Sequence, residues 1–298
     1  MSELKAASLP NRGVVKVSGA DAHKFLQGIL TTDIDDLEAP AAKHTGLLSP
    51  QGKILFDFFV IAVADGYLLE TGKAEIPDLL KRLTMYKLRA DVTLQDVSAD
   101  YTVAALWGDG AAAAADKIEG IAFIDPRRGE LGARLLFTSE ATDALGKLQA
   151  SPASETDYDT HRIAIGVPEA GKDFPLGDTF PHEALYDQLG GVSFQKGCYV
   201  GQEVVSRMQH RSTARKRVVP ISADAPLPET GTEIRTSSAA IGTLGTVAGE
   251  KALALLRLDR AADALAKGDT LQANDTKLDL SLPSWATFKF PPEPTPKS

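Results

Sequence analysis

"HTGLLSPQGKILFDFFVIAVADGYLLETG", residues 44–72, decides the reading of the fold. A Pro50-Gln51-Gly52 turn precedes the apolar run 54–63, and Asp65-Gly66 is a hairpin signal ahead of Tyr67–Glu70. The stretch reads as a β-meander. Upstream, "VVKVSGADAHKFLQGILTTDIDDL" gives a short strand at 14–17 and a helix opening between Ser18 and Asp21. Capping-type residues and the helical spacing of Phe25, Leu26 and Ile29 support that helix. Downstream come a helix from about Ala74 to Lys87 and the alternating strand "ADVTLQDVS". The strand and alanine-rich helix of "YTVAALWGDGAAAAADKI" follow, and then the strand "RLLFTS". This order predicts an α+β body, helices packed on antiparallel sheet. "SPASETD", residues 151–157, reads as a polar connection.

From 217 to about 290 the pattern changes. "RVVPI", "TEIRT", "IGTLGTVAG", "LALLRL", "DTLQA" and "LDLSL" are short strands punctuated by Gly and Pro, which predicts a separate antiparallel barrel. The expected division is therefore a body over 1–216, a barrel over 217–290 and a disordered Pro-rich tail over 291–298.

A chain of 298 residues is long enough for two or three packed units. No apolar run suits a signal peptide or a membrane span, so the expected setting is the cytoplasm, with an organellar matrix kept open. One cysteine excludes an internal disulfide and any all-cysteine metal site. His23, His44, His161, His182 and His210 show no ligand spacing. A net charge of −8 argues against a general nucleic-acid coat protein.

The cysteine lies in "SFQKGCYVGQEVVSRMQHR", residues 193–211. Val200, Val204, Val205 and Met208 fit one face of a helix from about Val200 to Gln209. Cys198 would then precede a helix N-terminus, where free N–H groups favour a thiolate, with Lys196 acting in the same direction. Gly197 and Gly201 suggest tight backbone or close approach of another group. The opposing reading is a small buried hydrophobe. "RMQHRSTARKR", 207–217, carries five positive and no negative side chains. It is either a solvated face or an anion-binding run. Asp57 is a carboxylate inside an apolar strand, sharing a face with Leu55 and Phe59. It calls for a hydrogen-bonded site, or for an edge strand with that face wet. Ser18, Thr31, Thr32 and Asp33 read as caps and turn formers.

"QKGCYVGQEVVSR" resembles the signature of the YgfZ-type folate-binding iron–sulfur maturation family, which is related to the glycine cleavage T-protein, an aminomethyltransferase. Lys196, Gly197, Cys198, Tyr199, Gly201, Gln202 and Glu203 match its K-G-C-Y-x-G-Q-E motif in full. "FLQGILTTDI", "LLSPQGKIL", "YKLRADVTLQDVS", "GVPEAGKDFP" and "IGTLGTVAG" follow in the family's order, so the likeness covers roughly residues 13–285.

The resemblance implies a three-domain ring around a folate channel, with two interleaved subdomains in the body, one of them ferredoxin-like. It also implies accessory work in the assembly or repair of iron–sulfur clusters in client enzymes, some of which thiolate tRNA. Tetrahydrofolate would lie in a channel lined by Asp57 and the segment around Arg162. Arg207, Arg211, Arg215 and Arg217 would face its glutamate tail or an acidic partner. Cys198 would lend one thiolate to a transient cluster shared with a partner, with Lys196 and Asp57 as further reactive-site residues.

Three departures qualify the likeness, one of them Ser212, which stands where the family often has a glycine after the post-motif arginine. Ala164 stands where the T-protein keeps a pterin-binding glutamate, and Leu185, Tyr186 and Asp187 replace an Asn-Leu-Asp. Asp57 does fall where the T-protein keeps a catalytic aspartate. The alternative to an accessory factor is thus a folate-dependent aminomethyltransferase or demethylase. A nucleic-acid-binding module and a plain scaffold are further rivals.

Overall fold

The computed structural model describes residues 2–138, 145–211 and 214–291, with Arg211 described in its backbone only. The chain forms two compact units. The first comprises Met1–Pro50, Leu55–Tyr158 and Leu189–Val200, and the second Gln51–Ile54, Asp159–Gln188 and Gly201–Ser298. The barrel is therefore packed with 159–188 and 201–216, which the sequence reading had assigned to the body.

The chain opens with β1 (Lys5–Ser8), β2 (Arg12–Ser18), α1 (Ala22–Ile29), β3 (Ala42–Leu48), β4 (Ile54–Val63) and β5 (Gly66–Gly72). It continues through α2 (Ile76–Lys87), β6 (Thr93–Asp96), β7 (Tyr101–Trp107), α3 (Ala111–Ala115), β8 (Ile121–Ile124), β9 (Ala133–Thr138) and β10 (Ser151–Pro152). Two five-stranded sheets result, ordered β3-β4-β5-β2-β6 and β10-β1-β7-β9-β8.

β4 explains why 54–63 is apolar almost throughout. Its Phe56, Phe58, Val60 and Ala62 pack with Phe25 and Leu26 of α1 and Leu79 and Leu83 of α2. Its Phe59 and Ile61 join a second core with Trp107, Phe123 and Leu136. A strand buried on both faces cannot alternate apolar with polar. The β4–β5 hairpin turns at Ala64-Asp65, with Val63 opposite Gly66, one residue earlier than the expected Asp-Gly turn. Gly66 is required for another reason. A Cβ there would stand 2.3 Å from the Val17 carbonyl oxygen of the neighbouring strand.

Asp21 does not cap α1 with its side chain; its carboxylate accepts the Asp91 backbone N–H at 2.8 Å instead. The alanine-rich helix shrinks to five residues. "SPASETD" is not a mere connection. Ser151 and Pro152 pair in parallel with β1, and α4 (Glu155–Ile165) begins three residues later. Its start is a capping box: Asp157 Oδ2 accepts the Ser154 N–H at 2.8 Å, and the Asp157 N–H returns to Ser154 Oγ at 3.1 Å.

In the second unit α5 (Gln202–Arg211) leads to β11 (Lys216–Ser222), β12 (Glu233–Arg235), β13 (Ala240–Ala248) and β14 (Lys251–Arg257). A helix not anticipated, α6 (Leu258–Ala266), precedes β15 (Leu271–Ala273) and β16 (Thr276–Leu280). The six strands close as β11-β14-β13-β12-β15-β16, with β16 returning to β11 at Ile221↔Leu280. Val219, Ile221, Ile234, Leu244, Leu256 and Leu271 fill the interior. The expected disordered tail lies, beyond Pro291, outside the described residues.

Candidate functional site

The signature loop is fastened to the end of α1. Thr31 Oγ1 donates to the Gly191 carbonyl at 2.7 Å, and the Ser193 N–H donates to the Thr31 carbonyl at 2.8 Å. The Lys196 ammonium donates to the carbonyls of Gln27 (2.7 Å), Leu30 (2.9 Å) and Thr32 (2.9 Å). A helix C-terminus leaves carbonyls unsatisfied and attracts a cation, and an ammonium has three protons to give. Burial pushes this ammonium down to about 8. The expectation that Lys196 activates the thiol is corrected on this geometry: all three protons are committed to backbone oxygens, and the residue is an anchor.

Cys198 follows on this anchored loop and is exposed, which disposes of the buried-hydrophobe reading. Tyr199 turns inward beside it; burial pushes its phenol up to about 12, and the Lys196 ammonium sits 5.6 Å from its ring centroid. Gly201 has φ +82°, the left-handed conformation that favours glycine. Gly197 is not a point of close approach, since a Cβ there would meet nothing within 4 Å. α5 starts at Gln202, two residues later than expected, with Val205 as its buried contact. Glu203 is exposed and pairs one turn on with Arg207 at 2.6 Å, a solvated helix-face contact.

A second site occupies the face of β4 that carries Phe59 and Ile61. Asp57 Oδ2 lies 2.7 Å from His44 Nε2, and both side chains are nearly buried. This answers the demand for a partner and rules out a wet edge strand. Around it runs a layer of buried charge. Arg127 binds Asp125 through Nε (3.0 Å) and Nη2 (2.7 Å), and Arg134 lies 3.7 Å from Glu70, which Arg12 also grips. Burial alone would lower the Arg127 pKa; the adjacent Asp125 outweighs it and holds the guanidinium above its ordinary value. Arg127 and Arg134 stack over Phe59 at 5.0 and 5.4 Å. The two sites are bridged: Thr32 Oγ1 donates to the His44 carbonyl at 2.7 Å, and the Thr32 carbonyl receives Lys196.

The predicted anion-binding arginines divide. Arg162 is fully buried in the second unit, bonded to Asp159 at 2.7 Å, paired with Asp173, and 3.7 Å from Glu169. Arg217 is buried too. It donates to Asp187 at 2.8 and 2.9 Å and to the His182 carbonyl at 2.8 Å. Both expectations are corrected: internal carboxylates already satisfy these guanidinium groups, so they serve packing. Arg207 and Arg215 are exposed; the Arg211 side chain lies outside the described residues. Ala164 is exposed and offers no carboxylate for a pterin.

Sequence reasoning missed His44, Arg127, Arg134 and Glu70, which come from separate strands and loops. The one available signal was Asp57's need for a partner. The anchoring role of Thr31 and Thr32 was missed because their acceptor, Gly191, lies about 160 residues away. Among the described residues no three His, Cys, Asp or Glu side chains converge as a metal-ligand set.

The GCVT N-terminal domain family matches residues 9–128, and the CAF17 C-terminal beta-barrel domain family matches residues 215–288. The iron-sulfur cluster assembly factor IBA57 homolog, mitochondrial, of Mycosarcoma maydis is 38% identical over 235 residues, 74% of this chain and 58% of that protein. The homolog of Coccidioides immitis is 30% identical, covering 90% of this chain and 75% of that one. The Homo sapiens protein of the same name is 32% identical, covering 83% and 76%. The chain thus spans little more than half the length of the first of these relatives. The glycine cleavage aminomethyltransferase T of Bartonella henselae superposes with a TM-score of 0.75 over 97% of this chain and 88% of that one; at 16% identity this shows the fold alone. A GCVT-type α+β body ending in a six-stranded CAF17-type barrel, with relatives at this identity and coverage, places the chain in the IBA57 family of iron–sulfur cluster assembly factors.

Proposed function

We propose that the protein is an accessory factor in iron–sulfur cluster assembly or repair, in which Cys198 contributes one thiolate to a cluster that a partner completes. The observation that carries this reading is the placement of the chain's single cysteine: exposed, on a loop fixed by Lys196 and Thr31. One sulfur cannot hold a cluster, so the remaining ligands come from an assembly or client protein, a second copy or glutathione. The relatives are named as assembly factors of mitochondria, which supports the reading and favours the organellar setting over the cytoplasmic one. Support for tRNA thiolation is indirect, through clients that carry clusters.

We further propose that tetrahydrofolate or a derivative binds at the Asp57–His44 pair. The residues present fit it in part. A carboxylate held by an imidazole suits the donor groups of a pterin, while Ala164 supplies no second one. Folate acts here as an effector or carrier, and no one-carbon transfer follows from these residues. The aminomethyltransferase alternative retains Asp57 in its favour. Turnover of tetrahydrofolate with a methylamine donor would support it.

The deciding experiment restores cells lacking the protein with the wild-type chain or Cys198→Ser and measures the activity of cluster-containing enzymes. The serine variant is expected to fold normally and restore none of it. Full restoration would remove the thiol from the mechanism.

A further inference from the structure

A second basic surface, apart from 207–217, lies at the end of α2. From Leu79 to Ala90 the chain carries Lys81, Arg82, Lys87 and Arg89 and no acidic residue, in a protein of net charge −8. Among the described residues Lys81, Arg82 and Arg89 form no ion pair. Arg82 lies over the Tyr86 ring at 5.8 Å, and the Lys87 ammonium donates to the Val92 carbonyl at 2.8 Å. Two large apolar side chains stand among these cations: Met85 is 59% and Leu88 84% exposed, Leu88 the most exposed large hydrophobic side chain described.

Leu88 is held at φ +47°, ψ −105°, a backbone region suited to glycine and avoided by side chains with a Cβ. Unfavourable backbone that displays an apolar group to water stabilises nothing within the chain, and such outliers concentrate where a surface is used. α2 itself needs no further cover, because Ile76, Leu79 and Leu83 already fill its buried face.

We propose that residues 81–89 are a protein-docking surface: Leu88 and Met85 enter a shallow apolar cleft of an acidic partner, whose carboxylates meet Lys81, Arg82 and Arg89. Charge complementarity selects this occupant. Met and Arg are enriched at protein interfaces, and an apolar anchor ringed by cations gives both orientation and rate. A membrane is disfavoured by the same geometry. A surface-lying helix inserts a broad apolar face, whereas the apolar face of α2 is in the core and only two side chains project. A phosphate backbone would leave Leu88 without a function. The surface does not involve Cys198, so it is independent of the thiol reading.

The test uses the full chain and Leu88→Gly, a substitution matched to the observed φ, alongside Lys81→Glu/Arg89→Glu. The probe is a fluorescein-labelled amphipathic peptide with Asp and Glu flanking paired Leu and Phe side chains, read by anisotropy at 25 mM salt. Wild type is expected to bind, with affinity falling at least tenfold in each variant and steeply with added salt. Leu88→Gly should melt no lower than wild type, and Cys198→Ser should bind as wild type does. Absence of wild-type binding, or equal binding by the variants, overturns the proposal. So does Leu88-dependent capture by phosphatidylserine vesicles in place of the peptide, or Leu88-dependent self-association in sedimentation.

Discussion

The ammonium of Lys196 lies 2.9 Å from the carbonyl oxygen of Leu30, so a residue of the K-G-C-Y-x-G-Q-E signature closes a helix whose C-cap residue stands 166 positions earlier in the chain. The signature thus combines an anchor with an exposed thiol two residues on.

Replacing Lys196 with Met leaves the buried Leu30 and Thr32 carbonyls, and the half-buried Gln27 carbonyl, without this donor. The expected loss is about 2 kcal/mol, the usual cost of stranded polar groups, read as a lower urea midpoint. Hydrogen exchange at 191–199 should quicken. The pH midpoint of Cys198 alkylation should stay where it is. A shift of that midpoint would return Lys196 to the role of thiol activator.

Asp57→Asn keeps the shape of the side chain but removes the charge that His44 meets at 2.7 Å. Folinic acid should raise the melting temperature of the wild type, because a ligand of the native state stabilises it. The asparagine variant should show no such rise. An undiminished rise in the variant would move folate away from this pair.

Arg162→Met leaves the buried Asp173 carboxylate without its guanidinium, while Asp159 and Glu169 keep Lys172 at 3.1 and 3.4 Å; removing one partner of a buried ion pair typically costs about 3–5 kcal/mol. The melting temperature should fall accordingly. A direct folate-binding role predicts the reverse pattern, a stable protein with lost affinity.

His182 is buried beside Asp187 and Arg217 and bonded to Gln209, and burial holds its pKa below the ordinary imidazole value. Unfolding frees it to take up a proton at a higher pH, so the unfolded state binds more protons in the window just below 6.5. Its contribution is therefore present above that window and lost as pH falls through the folded value. The urea midpoint of the wild type should drop between pH 7.5 and pH 5 by more than that of His182→Gln.

Local chemistry made much of this legible. Both hairpin strands around 54–72, α2 to within two residues and all six barrel strands follow from turn residues and apolar periodicity. The capping box at Ser154 was equally local, yet its three-residue span was read as linker because polar residues serve both. What escaped the sequence is long-range. β1 pairs with β7 and β10 across most of the first unit, and His44, Arg127 and Glu70 meet only after two sheets have formed. Charge in sequence also misled: Arg217's partner Asp187 lies 30 residues away, and although Asp159 stands one helix turn before Arg162, its second carboxylate, Asp173, is beyond the end of α4. Family resemblance pointed to Cys198, and the structure adds that the thiol is presented outward.

Closure of the barrel has a consequence for how partners attach. β16 returns to β11, so among the described strands of the second unit none presents an open row of backbone donors and acceptors. A partner cannot extend that sheet by adding a strand of its own. In the first unit the open edges among the described residues are β6 of one sheet and β8 and the two-residue β10 of the other, while β3 is partly covered, Leu30 bridging Leu47 and the Thr31 N–H bonding the Gly46 carbonyl, so strand addition is confined to those edges. Contacts with the barrel must instead be made by side chains.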